Sequence, residues 1–288
     1  MRRERQKPDR SGGRGRATDY NIRMRILTAR GVETAYDDLG NGRPVILLHG
    51  YPFDRSMWRE QIDFLSARGF RVVAPDLRGM GQTKAPSETS TMDDMAGDVA
   101  ALMDELKIDQ AFICGLSMGG YVAFDFVRLF PSRVRALVLA GTRAPADNEQ
   151  ESQAREQQAM RMLAEGMNFV VDATLSKLLA PRSLAEKPAV VASVREMISN
   201  ADPQGAAAAQ RGMAVRRNYS DDLPSIDVPT MVIVGRDDPI RPVADAEFMH
   251  EKIRDSHLEI IEDAAHMTNM EQPGVFNRLL LEFLRDLV

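Results

Sequence analysis

The chain has 288 residues, 44% of them hydrophobic, which supplies a sizeable core and excludes disorder over most of the length. Its 37 basic and 42 acidic side chains give a net charge of −5, which excludes a strongly basic nucleic-acid-binding protein. A single cysteine, Cys114, excludes an intramolecular disulfide and fits a reducing compartment.

Residues 1–21 are rich in Arg and Gly, and the first 20 carry seven basic side chains against three acidic ones. With almost no large apolar group, this stretch is expected to be a disordered basic arm. A translation start at Met24, just ahead of the first patterned strand, is the other reading, which intact mass of native protein would decide. No run approaches the about 18 apolar residues of a membrane span, and the N-terminus lacks the apolar centre of a secretory signal. A soluble cytoplasmic protein without membrane or nucleic-acid partners is expected.

From residue 22 the chain alternates. Residues 22–30 and 31–38 read as two short strands about Gly31, and 44–48 (PVILL) as a buried strand. A helix over 55–68 stops at Gly69 and a strand covers 71–74. Residues 92–106 then place Met92, Met95, Val99, Leu102, Met103 and Leu106 at helical spacing. A strand at 111–114, a helix at 118–130 ending before Pro131, and a strand at 136–140 follow. The last third repeats the pattern, with strands at 230–234 and 257–261 and helices at 243–254 and 273–287. This order predicts an α/β fold with a mostly parallel sheet and helices on both faces. The interval 145–222 has helical stretches, including Ala206–Ala209, and no clear strand. It reads as a helical cap over the sheet's carboxyl edge, inserted between core segments 22–144 and 223–288.

Gly115-Leu116-Ser117-Met118-Gly119 is a G-x-S-x-G pentapeptide entered from a strand and left by a helix. That context is the nucleophile elbow, a tight turn that presents a serine Oγ above the sheet. A serine hydroxyl needs a base at neutral pH. Of the four histidines, His250 lies in a charged helix, His257 begins a strand, and His49 precedes the serine. His266, after the last strand, alone has the Ser, acid, His chain order of this elbow. The orienting acid should follow a strand between them. Asp238 is the better placed of a doublet, three residues past Gly235 with Pro239 and Pro242 stiffening the loop. Asp237 is its rival, otherwise suited to cap the turn or pair with Arg236 or Arg241. Carbonyl attack also needs two fixed N–H donors for the oxyanion. Met118, directly after the serine, supplies one. Tyr51 in His49-Gly50-Tyr51-Pro52 is the choice for the other, since Pro52 has no N–H. The few His and Cys form no ligand cluster, so no metal or cofactor is expected.

The chain resembles the α/β-hydrolases over roughly residues 22–288. HGYP (49–52), DLRGMGQT (76–83), GLSMGG (115–120), GRDDPIRP (235–242) and AAHMTNMEQP (264–273) carry the resemblance. Within that superfamily LLHGYPFD, CGLSMGGYVAF and RALVLAGTRA are most similar to the 3-oxoadipate enol-lactonase-like and small carboxylesterase group. The resemblance implies an eight-stranded sheet, a Ser117–Asp238–His266 triad, and oxyanion donors at Tyr51 and Met118. It also implies a structural loop at Asp76 and Arg78, with substrate anchoring by Arg78 as the alternative. Trp58 becomes a candidate for the substrate pocket or, equally, a buried structural residue. Ser117 argues against dehalogenase-like and epoxide-hydrolase-like members, which carry Asp there. The HGYP form is closer to esterases and cofactor-free perhydrolases than to many enol-lactonases. The expected function is hydrolysis of a small ester or lactone through an acyl-enzyme. Perhydrolysis, carbon–carbon bond hydrolysis on the same triad, and non-catalytic ligand binding are the alternatives.

Overall fold

Runs of Val, Ile and Leu only four to six residues long, bounded by turn residues, suit strands buried on both faces. In the computed structural model, which describes residues 24–287, such runs form eight strands. They are β1 (Arg25–Ala29), β2 (Val32–Leu39), β3 (Arg43–Leu48), β4 (Phe70–Pro75), β5 (Ala111–Leu116), β6 (Val134–Ala140), β7 (Thr230–Gly235) and β8 (Ser256–Ile261). One sheet holds them in the order β1-β2-β4-β3-β5-β6-β7-β8. β2 is antiparallel to both neighbours and every other pairing is parallel. The expectation for residues 1–21 lies outside the described residues.

The helices are α1 (Arg59–Ser66), α2 (Met92–Glu105), α3 (Met118–Leu129), α4 (Glu149–Glu165), α5 (Asn168–Leu178), α6 (Pro181–Glu186), α7 (Pro188–Asn200), α8 (Pro203–Ala214), α9 (Val243–Lys252), α10 (Thr268–Glu271) and α11 (Pro273–Asp286). Strand side chains alternate between two cores. On β3, Ile46 and Leu48 join Met95, Val99 and Met249 from α2 and α9. Val45 and Leu47 join Ile62, Leu65, Phe276 and Leu280 from α1 and α11 on the opposite face.

The sequence predicts one helix over 55–68, but the structure divides it. Asp54 accepts a hydrogen bond from Ser56 N at 2.8 Å, and a tight 3-10 turn over Arg55–Trp58 precedes α1. β5 also runs two residues past its predicted end, because Gly115 and Leu116 still pair with β6.

Five helices, α4 to α8, occupy the interval between β6 and β7. α4 packs on α8, whose run Ala206–Ala209 is buried. Polar bonds such as Arg155 Nη1 to Gln210 Oε1 (2.8 Å) edge the contact. The inserted helices touch the loops that leave the carboxyl ends of several strands. The Tyr51 hydroxyl donates to Met162 Sδ at 3.1 Å, Ser90 N to Ala208 O at 3.0 Å, and His266 N to Leu178 O at 3.1 Å. No helix among the described residues is long and apolar enough to cross a membrane.

Candidate active site

The junction of β5 and α3 forces an unusual backbone on Ser117, with φ 57° and ψ −114°. A positive φ on a serine costs about 1–3 kcal/mol and persists only where its surroundings hold it. Here Ser117 N donates to Ala140 O at 2.8 Å. Its carbonyl accepts from Gly120 N and from the Thr142 hydroxyl, both at 2.9 Å. The turn also needs bare backbone at Gly119, where a Cβ would fall 2.1 Å from Leu48 O. Gly119→Ala is therefore expected to destabilise the fold by about 3 kcal/mol, as overpacking does at its upper end. Chemical denaturation checks this, and an unchanged midpoint would refute the packing argument.

The tip of β6 lies beside both the serine and the last loop. Ala140 and Thr142 hold Ser117, and a Cβ on Gly141 would fall 3.4 Å from His266 Nδ1. His266 and Asp238 are buried and joined by a 2.8 Å bond from Nδ1 to Oδ2. The other carboxylate oxygen, Asp238 Oδ1, accepts Ile240 N at 2.8 Å and Arg241 N at 2.9 Å. Both oxygens are thus fixed, and a carboxylate on Nδ1 selects the tautomer with that proton on Nδ1. Asp237 is exposed, and its backbone N–H bonds Ala264 O at 3.0 Å. Arg236 pairs with Glu262 instead. Geometry thus brings Asp238 and His266 together, while the Ser117 hydroxyl makes no hydrogen bond to His266.

The remaining histidines are occupied differently. His49 is buried, with Nδ1 at 2.9 Å from Gly50 O and Nε2 accepting Leu77 N at 2.8 Å. Burial lowers its pKa, with Asp76 opposing, so a neutral ring ties the 49–53 and 76–82 loops together. His250 Nδ1 meets Ser256 Oγ at 2.8 Å, and His257 is exposed.

Gly50 sets the early loop against the elbow, since a Cβ there would lie 3.3 Å from Ser117 Cβ. The N–H groups of Tyr51 and Met118 donate to no other group among the described residues. Asp76 accepts Arg55 N and Gln82 N, each at 2.8 Å, and binds the Arg55 guanidinium. Arg78 is not free to anchor a substrate, because it grips Asp98 of α2 with bonds of 2.8 and 2.7 Å. Trp58 is fully buried against Phe276, ring centroids 5.9 Å apart, with no face open to a ligand.

A charged cluster beside the acid loop had no signal in the sequence. Arg241 donates to the Tyr121 hydroxyl at 2.5 Å, and the Arg216 guanidinium lies 4.3 Å from the Tyr121 ring centre. Burial acts to raise the Tyr121 pKa, but Arg241, Arg216 and Arg155 outweigh it and lower it. Asp147 neutralises part of this charge, at 2.7 Å from both Arg216 and Arg143 and paired with Arg155. Arg241 and Tyr121 both stand in the quoted motifs, yet only folding puts them in contact.

A family model described as "alpha/beta hydrolase fold" matches residues 43–273. The chain is 32% identical to 3-oxoadipate enol-lactonase 2 of Acinetobacter baylyi over 253 residues, covering 87% of this chain and 92% of the relative. It is 30% identical to a non-heme haloperoxidase of Rhodococcus erythropolis, covering 91% of this chain and 99% of that protein. The solved structure of a thermophilic esterase from Thermogutta terrifontis superposes with TM-score 0.89 at 38% identity, covering 92% of this chain and 99% of that one. With a family model matching most of the chain and relatives of this identity and coverage, this chain belongs to the α/β-hydrolase family.

Proposed function

We propose that the protein is a serine hydrolase that cleaves a small carboxylic ester or lactone through an acyl-enzyme. The buried 2.8 Å His266–Asp238 pair, set beside a strained Ser117, is the observation that carries this reading. His266 takes the hydroxyl proton as Ser117 Oγ attacks the carbonyl carbon. The Tyr51 and Met118 N–H groups receive the oxyanion, and Asp238 stabilises the imidazolium. Collapse of the tetrahedral species breaks the acyl–oxygen bond as His266 returns the proton to the leaving alkoxide. In a lactone that alkoxide stays attached to the acyl group. Water, deprotonated by His266, then attacks the acyl-enzyme and releases the acid and Ser117.

The inserted helices 149–214, which contact the loops carrying Tyr51 and His266, serve in this reading as a cap that shapes the acyl pocket. The enol-lactonase and esterase likenesses favour ester or lactone substrates.

The test is intact mass after a fluorophosphonate, which labels an activated serine without needing the natural substrate. Wild type should gain one adduct, and Ser117→Ala and His266→Ala none. An unlabelled wild type, or a labelled Ser117→Ala, would overturn the assignment. Unlabelled wild type is then offered short-chain esters, lactones, and esters with hydrogen peroxide. A peracid product only in the last mixture would replace hydrolysis by perhydrolysis.

A further inference from the structure

A carboxylate with no solvent exposure is costly unless its oxygens are engaged, so where its bonds go is informative. Glu271, in α10 and five residues after His266, is fully buried. Its Oε1 accepts the N–H of Ala265, the residue before His266, at 2.7 Å. Its Oε2 accepts the N–H of Ala180, in the α5–α6 corner of the inserted helices, at 2.6 Å. The same corner meets the same loop a second time, where His266 N and Met267 N both donate to Leu178 O at 3.1 Å. Lys187, next to α6, closes the contact by donating Nζ to the Glu271 carbonyl. On its other side the loop is held by the acid loop through Asp237 N and Ala264 O at 3.0 Å. Burial raises the Glu271 pKa above the ordinary carboxylate value, outweighing the opposing pull of Ser183 and of the Ala180 and Ala265 N–H groups.

We propose that Glu271 is a positioning residue for His266: its carboxylate joins the Ala265 and Ala180 amides, so that the placement of the imidazole depends on the inserted helices. This rests on the reading of His266 as the base. Glu271 touches neither the serine nor the carbonyl to be attacked, so it acts only through geometry. Misplacement of a reacting group by about 1 Å costs roughly 100-fold in rate.

The test compares fluorophosphonate labelling of wild type, Glu271→Gln, Glu271→Asp and His266→Ala at several reagent concentrations, separating maximal rate from half-saturation. Gln keeps the size but turns an NH2 group toward one of the two amides. The maximal rate should fall roughly 100-fold, with half-saturation little changed and the folded fraction confirmed by circular dichroism. Asp keeps the charge but is one methylene short of spanning both amides, and should fall by less. If Gln does not fold, Asp carries the same comparison. A variant that melts earlier yet labels at the wild-type rate overturns the proposal and leaves Glu271 a stabilising residue only. Full labelling of His266→Ala would instead remove the reading beneath it, so the two failures are distinguishable.

Discussion

Asp238→Asn is expected to lower kcat about 10⁴-fold, the size seen where an orienting carboxylate becomes an amide and the histidine tautomer is lost. Asp238 holds His266 through Oδ2 and its own loop through the Ile240 and Arg241 amides. Asn keeps one accepting oxygen for these three donors and turns its NH2 against the rest. KM should move little, because Asp238 meets the imidazole rather than the substrate. Asp237→Asn is the control, since that side chain is exposed and only its backbone bonds Ala264. Near-normal activity in Asp238→Asn would remove it from the proposed triad.

The second large effect falls on stability. The side chains of Asp147 and Arg216 are both 0% exposed and lie 2.7 Å apart, with Arg143 and Arg155 also on the carboxylate. Removing one partner from such a group leaves buried charge uncompensated and costs about 3–5 kcal/mol. Asp147→Asn should therefore destabilise by about that amount at pH 7 in urea denaturation. Burial opposes ionisation of Asp147, but Arg155 and Arg216 hold its pKa well below the usual carboxylate range. A depressed folded pKa means that the contribution is fully present above the unfolded value of about 3.9. It is lost as pH falls below that value and through the folded pKa. The gap between wild type and Asp147→Asn should thus be widest from pH 5 to 7 and narrow on acidification toward pH 3. A gap that stays constant would show that the variant acts through packing rather than charge.

Much of the fold was legible because its signals are local. The unbroken apolar run of β3 and the helical spacing of Met92, Met95 and Val99 in α2 each follow from which side chains must leave water. Ser117 was legible for a related reason, since glycines on both sides of a serine between strand and helix mark a turn few other sequences tolerate. Element ends were less so. Asp54 tightened the first turn before α1, and pairing with β6 carried β5 through Gly115, a residue whose own propensity is against strand.

By itself the sequence determined most strands and helices of the core and the strand-turn-helix around Ser117, because hydrophobic pattern and turn chemistry act within a few residues. Only the tertiary structure decided between neighbours and found partners. It paired the Asp238 carboxylate with His266 and left the Asp237 side chain in solvent. It spent Arg78 on Asp98 and sealed Trp58 against Phe276. It brought Arg241 to Tyr121, 120 positions away, and Glu271 to Ala180, 91 positions away. Residues so far apart meet because separate elements pack on one sheet, and no local pattern encodes which side chains then face each other.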